Sequence, residues 1–201
     1  VGVLEAGQHT SELLPGGDIR TDIPAYRVFE NGEHTATLAD ATSYYTPDMV
    51  SFLIGCSFTF ETALQDNGIE VAHIAQQRNV PMFKTTIPTT PAGIFSGPMV
   101  VSMRPIPAAQ VSDAVRITSR YPSVHGAPVH VGDPGAIGIE DLNRPDFGDP
   151  GEVPEGCLPV FWACGVTPQA IVMESKPRLA ITHAPGQMLV TNARDQDFLI
   201  P

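Results

Sequence analysis

The sequence is short of cations: 11 Lys and Arg stand against 22 Asp and Glu, a formal charge of -11. That balance argues against nucleic acid or an anionic membrane as partner, because repulsion from phosphate must be overcome before any contact forms. No apolar run reaches the length of a membrane span. There is no P-loop and no GxGxxG after a strand, and the glycines from Gly132 to Gly138 have the wrong spacing, so nucleotide binding is the weakest option. Cysteine is scarce too. Cys56, Cys157 and Cys164 are an odd set without a CxxC pair or a preceding secretory leader, so the expected location is a reducing, cytoplasmic one. The chain opens on Val1 without an initiator Met and reads as part of something longer.

What is present suits a globular enzyme. A chain of 201 residues can form one large core or two small ones sharing an interface. Its 20 prolines and 18 glycines lie between apolar runs, which marks turns and not disorder. Asn31-Gly32 between Tyr26 to Glu30 and His34 to Leu38 predicts a β-hairpin, with His34 a solvated strand residue. Thr46-Pro47-Asp48 predicts a helix start running into Met49 to Ile54. A second helix is expected over Phe58 to Asn67, capped by Ser57 and closed by Gly68. Ile69 to Ile74 and Met99 to Met103 read as strands, and residues 76 to 97 as a loop or edge strand carrying Arg78 and Lys84. Pro107 opens a helix with Val111, Ala114, Val115 and Thr118 at helical spacing. Asp133-Pro134 starts a short helix, residues 140 to 157 form a surface loop, and Leu179 to Thr182 and Met188 to Thr191 close the pattern as strands.

The most informative stretch is Leu158 to Ile171. An apolar, β-rich run stops at Ala163, Cys164 and Gly165 make a tight turn, and Thr167-Pro168 is an N-cap followed by a first-turn proline. A helix start beside Cys164 favours an anion or a thiolate. Cys56 likewise precedes a helix start, so the two cysteines read as a paired base and acid. The competing reading is two small core residues. Strand, helix, strand units predict parallel pairing with right-handed crossovers, which brings Arg104, Asp133, Cys164 and His183 to one rim of a sheet.

Gly55-Cys56-Ser57-Phe58-Thr59-Phe60-Glu61, Arg78 to Met82, Gly97 to Pro105, Val124 to His130, Phe161 to Gln169 and Ile181 to Gly186 together resemble one bacterial family. Its members are described as putative hydro-lyases and are similar to the catalytic domain of mitochondrial D-glutamate cyclase. The resemblance implies a cytosolic carbon-oxygen lyase with an α/β fold: two intertwined α/β and α+β subdomains with a mixed, partly parallel sheet. The expected division is residues 1–75 and 155–201 as a discontinuous main subdomain, with 76–154 inserted. Family members usually carry a further N-terminal helical segment, which this sequence does not include.

Three functions are in play. The first is a hydro-lyase or cyclase without organic cofactor acting on a small carboxylate, with D-glutamate to 5-oxo-D-proline plus water as the instance the resemblance suggests. Its candidate catalytic residues are Cys164, His183, His125, His130 and Cys56; Cys164 or His183 would be the base and His125 or His130 the acid. Candidate substrate-binding residues are Arg104, as a bidentate carboxylate clamp, with Ser57, Gly165, Thr167, Asp133 and Arg78. The second is a metal-dependent lyase drawing N and O ligands from His125, His130, Asp133 and His183, although HxxxxH across a Gly-Pro turn is a weak metal signature. The third is a metabolite-binding module without turnover. A homo-oligomer is compatible with each.

Overall fold

A computed structural model describes residues 1–201. In chain order the elements are β1 (Gly2–Leu4), β2 (Tyr26–Glu30), β3 (Glu33–Leu38), β4 (Ser51–Leu53), α1 (Glu61–Asp66) and α2 (Ala72–Ala75). Then follow β5 (Met82–Pro88), β6 (Pro98–Pro107), α3 (Val111–Thr118), β7 (His130–Val131), β8 (Cys157–Ala163), α4 (Thr167–Ser175) and β9 (Leu179–His183). Short 3-10 turns fill several of the gaps, Ser57–Phe60 ahead of α1 among them. No helix is long and apolar enough to cross a membrane.

The fold is mixed α/β, as expected. The parallel pairing is not found: every strand pair is antiparallel. The chain divides into two compact units, one of residues 1–54, 91–96 and 169–194 and the other of residues 55–90, 97–168 and 195–201.

In the first unit β3-β2-β9 form one antiparallel sheet and β1-β4 a two-stranded ribbon. The hairpin turns at Asn31 and Gly32 with φ of 53° and 82°, both in the left-handed region that a two-residue hairpin loop demands and that Asn-Gly supplies at least cost. Tyr26, Val28 and Phe29 bury the inner side of β2. Two expectations fail here. The apolar run after Thr46-Pro47 becomes the strand β4, paired with β1, and not a helix, because a run of six residues, five of them apolar, carries no period that separates the two. Met188 to Thr191 has no strand partner and is irregular.

The second unit is built on the antiparallel sheet β5-β6-β8-β7. Its register pairs Ser102 with Trp162 and Met103 with Phe161, so the two faces alternate along β6 and β8. One face carries Ile106, Val160 and Trp162 into a core with Phe60, Leu64, Ala114 and Ile117 from α1 and α3. The other carries Val101, Met103 and Phe161 against Phe83, Ile137 and Ile139. Burial on both faces explains why Met99 to Met103 reads as a continuous apolar run. Asp133 caps the 3-10 turn Pro134–Ile137 through its carboxylate, which accepts from the Gly135 N–H at 2.9 Å. Ile69 to Ile74 is not a strand: its end forms the short helix α2, which places His73 inward.

Candidate active site

In the second unit the chain leaves β8 and turns sharply at Cys164. The Cys164 N–H donates to the Val100 carbonyl at 3.0 Å, and the Thr167 N–H closes a turn on the Cys164 carbonyl at 3.0 Å. The Thr167 hydroxyl pins this turn to β6. It accepts from the Val100 N–H at 3.0 Å and lies 2.8 Å from the Cys164 carbonyl and 3.2 Å from the Val100 carbonyl. Thr167 therefore holds the turn in place, and its hydroxyl and N–H are both engaged there. The N–H groups of Val166 and Gly165 favour the ionised form of the Cys164 sulfur.

The Cys56 turn has the same local form. Cys56 sits in extended backbone just before the 3-10 turn Ser57–Phe60, and the Phe58 N–H favours the ionised form of its sulfur with further help from Ser57. The preceding glycine is required by packing. A Cβ on Gly55 would lie 2.4 Å from Val124 Cγ1 and 2.9 Å from the Ser123 carbonyl. The two turns meet. A Cβ on Gly165 would lie 3.6 Å from the Gly55 carbonyl and 3.9 Å from His125 Nε2, and a charge on Cys56 would oppose ionisation of Cys164. Both cysteines are half-buried.

His125 completes the group. Its backbone is left-handed, with φ of 84°, at the end of the 3-10 turn Pro122–Val124. Non-glycine residues adopt this region at a cost, and such strain persists only where the surroundings enforce it. Its Nε2 is buried without a hydrogen-bond partner. Burial pushes the imidazole below its ordinary value of 6.5; the nearby Gly55 carbonyl works against this and the Arg104 charge works with it. The thiols move the other way. Burial raises both above the ordinary 9.0, against the pull of backbone N–H groups and of Arg104. At neutral pH the site holds a neutral imidazole and two protonated thiols.

Beneath the Cys56 turn lies a chain of charges. Arg104 is fully buried in the middle of β6, with its guanidinium 5.3 Å from the Phe60 ring centre and 5.4 Å from that of Trp162. Its Nε and Nη2 donate to Glu61 Oε1, its Nη1 to Ser102 Oγ at 3.0 Å and its Nη2 to Ser57 Oγ at 3.1 Å. His73 Nε2 lies 3.2 Å from the same Glu61 oxygen. Burial works against the Glu61 charge, but the hydrogen bond from His73 and the Arg104 guanidinium outweigh it and hold the carboxyl below its ordinary range.

The sequence-based candidates thus separate. Cys56, Cys164, His125, Gly165, Ser57 and Arg104 come together. Arg104 is neither at a strand end nor free to clamp a carboxylate, since it is fully buried and four of its five N–H groups bond Glu61, Ser102 and Ser57. The shared rim fails with the parallel sheet that implied it. His130 stands away from the thiols: it pairs with Phe161 on the opposite sheet face, and its Nε2 donates to the Asp133 carbonyl at 2.7 Å. Asp133 is an exposed cap, and Arg78 is exposed, donating to the Pro150 carbonyl at 3.2 Å. His183 belongs to the first unit, where its Nδ1 donates to the Ala184 carbonyl at 2.7 Å. No three His, Cys, Asp or Glu side chains are grouped to hold a metal ion. Glu61, His73 and Ser102 were missed. An arginine inside an otherwise apolar strand was the available signal, because a buried cation requires a carboxylate partner.

Comparison with known proteins adds a chemical class. The family model described as D-glutamate cyclase matches residues 50–192. A Corynebacterium urealyticum protein named putative hydro-lyase is 70% identical over 201 residues, all of this chain and 77% of its own length. Proteins of the same name from Mycolicibacterium gilvum and Geobacillus kaustophilus are 61% and 60% identical, covering 99% and 98% of this chain and 76% and 75% of theirs.

Proposed function

The chain belongs to the D-glutamate cyclase family, and from that premise we propose that it is a hydro-lyase acting on a small carboxylate without an organic cofactor. D-glutamate to 5-oxo-D-proline plus water is the reaction the site suits best. The observation that carries this reading is the meeting of two half-buried thiol turns with a buried histidine whose Nε2 has no partner.

The proton balance of the reaction explains why such a group is useful. The amine nitrogen forms a bond to the side-chain carboxyl carbon, one carbon-oxygen bond breaks, and the oxygen leaves as water. Starting from an ammonium and a carboxylate, nitrogen gives up two protons and the departing oxygen gains two. His125 Nε2 takes the first ammonium proton, which frees the amine to attack. One thiol protonates the carboxyl oxygen and is reprotonated by its partner thiol, whose thiolate then collects the second nitrogen proton. The imidazolium delivers the last proton to the leaving oxygen. Both thiols and the imidazole return to their starting forms. Groups whose surroundings push them to opposite sides of neutrality are what a paired acid and base require. The sequence-based reading had Cys164 or His183 as the base and His125 or His130 as the acid; His125 and the thiols here take the opposite roles.

Proton NMR of the purified protein with D-glutamate, 5-oxo-D-proline and a panel of small hydroxy acids tests the reading. Conversion or hydration of one compound, abolished by Cys164→Ala, is the expected result. Full turnover by Cys164→Ala would overturn the site. No change in any compound would instead support the binding-module reading.

A further inference from the structure

We propose that Arg104 is a positioning residue of the two-thiol site: seated by Glu61 and packed against the adjoining rings of Phe60 and Trp162, it braces the Cys56 turn through Ser57 and supplies a fixed positive charge to both sulfurs. The inference rests on the two-thiol reading above but concerns a residue that touches no substrate. Three observations carry it. The guanidinium is wholly buried, so its charge is not screened by water as a surface cation would be. It is immobilised by Glu61, Ser102 and Ser57 together with two aromatic rings. Its bond to Ser57 joins it to the residue after Cys56, and it lies on the strand whose Val100 carbonyl holds the Cys164 N–H, so that Cys56, Cys164 and His125 all feel its charge.

The charges facing the sulfurs come from every neighbouring element. The turn before α1 leads to Glu61, which opposes ionisation of Cys56; β6 supplies Arg104, which favours ionisation of both thiols. The loop after Pro122–Val124 supplies His125, and α2 supplies His73, which reaches the cluster through Glu61. The same cation disfavours a charged His125. One buried charge thus eases proton release by the thiols and keeps the imidazole neutral, the two demands of the proposed proton cycle.

The test is the pH dependence of alkylation of Cys56 and Cys164 by iodoacetamide, read peptide by peptide by mass spectrometry, which needs no substrate and no turnover. Arg104→Met is expected to slow alkylation of both cysteines at pH 8 by about tenfold, as loss of a neighbouring cation lowers the thiolate fraction. Glu61→Gln is expected to speed Cys56 by several-fold and leave Cys164 unchanged. A merely structural role predicts otherwise, because a loosened fold exposes both thiols and speeds both in every variant. Arg104→Met without slowing, or Glu61→Gln acting equally on both cysteines, would overturn the proposal. If Arg104→Met does not fold, Ser57→Ala decides: it cuts the bond from Arg104 to the Cys56 turn and is expected to change the alkylation rate of Cys56 several-fold while leaving Cys164 unchanged, and no change at Cys56 would overturn the proposal. These rates are independent of activity, so a failed turnover assay and a failed alkylation pattern point to different errors.

Discussion

The two cysteine turns are alike in backbone and unlike in support. In each, an extended segment stops at a cysteine whose ionised form is favoured by the N–H two residues on. The Cys164 turn is held by neutral hydrogen bonds from Thr167 to the backbone of Val100 and Cys164. The Cys56 turn is held by charge, through Ser57 to Arg104, Glu61 and His73. The contrast separates two ways of setting a thiol. Burial, backbone donors and Arg104 act on both thiols, but only Cys56 also feels the Glu61 half of the ion pair.

Breaking the charged support should cost most. Glu61→Ala leaves Arg104 buried and uncompensated and is expected to destabilise the fold by about 3–5 kcal/mol, measured by denaturant unfolding. Thr167→Val on the neutral side should cost less, about 1–3 kcal/mol, the penalty for leaving the Val100 N–H without its partner. Equal losses would erase the distinction between the turns.

The two supports should also differ in pH response. Glu61 has a folded-state value below its ordinary 4.5, so its stabilisation is complete above that pH and is lost as pH falls through the lower folded value. Stability of the native chain should therefore drop on acidification below pH 4.5, and Glu61→Gln should flatten that part of the curve. Thr167→Val should leave its slope unchanged. His125 adds an acid-side loss beginning below its ordinary 6.5, because the unfolded chain takes up the proton that burial denies the folded one. Activity should be level between pH 6.5 and 9.0, with an acid limb from His125 and an alkaline limb from the thiols, both displaced outward by burial.

Local chemistry was legible and long-range pairing was not. Asn31-Gly32, the break at Gly55-Cys56, the Asp133 cap and the Cys164 turn are decided by residues within a few positions of one another, and the structure carries each. Strand direction depends on which segments pair. The helices between strands suggested parallel crossovers, yet β6 pairs with β5 and β8 in antiparallel fashion. Hence Arg104 lies mid-strand and not on a rim. Glu61 stood inside a recognised motif, but its partner is 43 residues away, and no local pattern reports an ion pair of that span. His73 was hidden by an apolar run read as a strand, whereas His130 and Asp133 attracted notice through spacing that turned out to serve a surface turn.

The central claim is that Cys56 and Cys164 work as one unit with His125, and the most direct test is the turnover rate of Cys56→Ala, Cys164→Ala and the double variant on the substrate identified by NMR. Groups that share one proton cycle lose activity non-additively. The account predicts that each single variant falls by about 10²–10⁴-fold, and the double falls little further. Losses that multiply in the double variant, or a single variant that keeps full turnover, would contradict it.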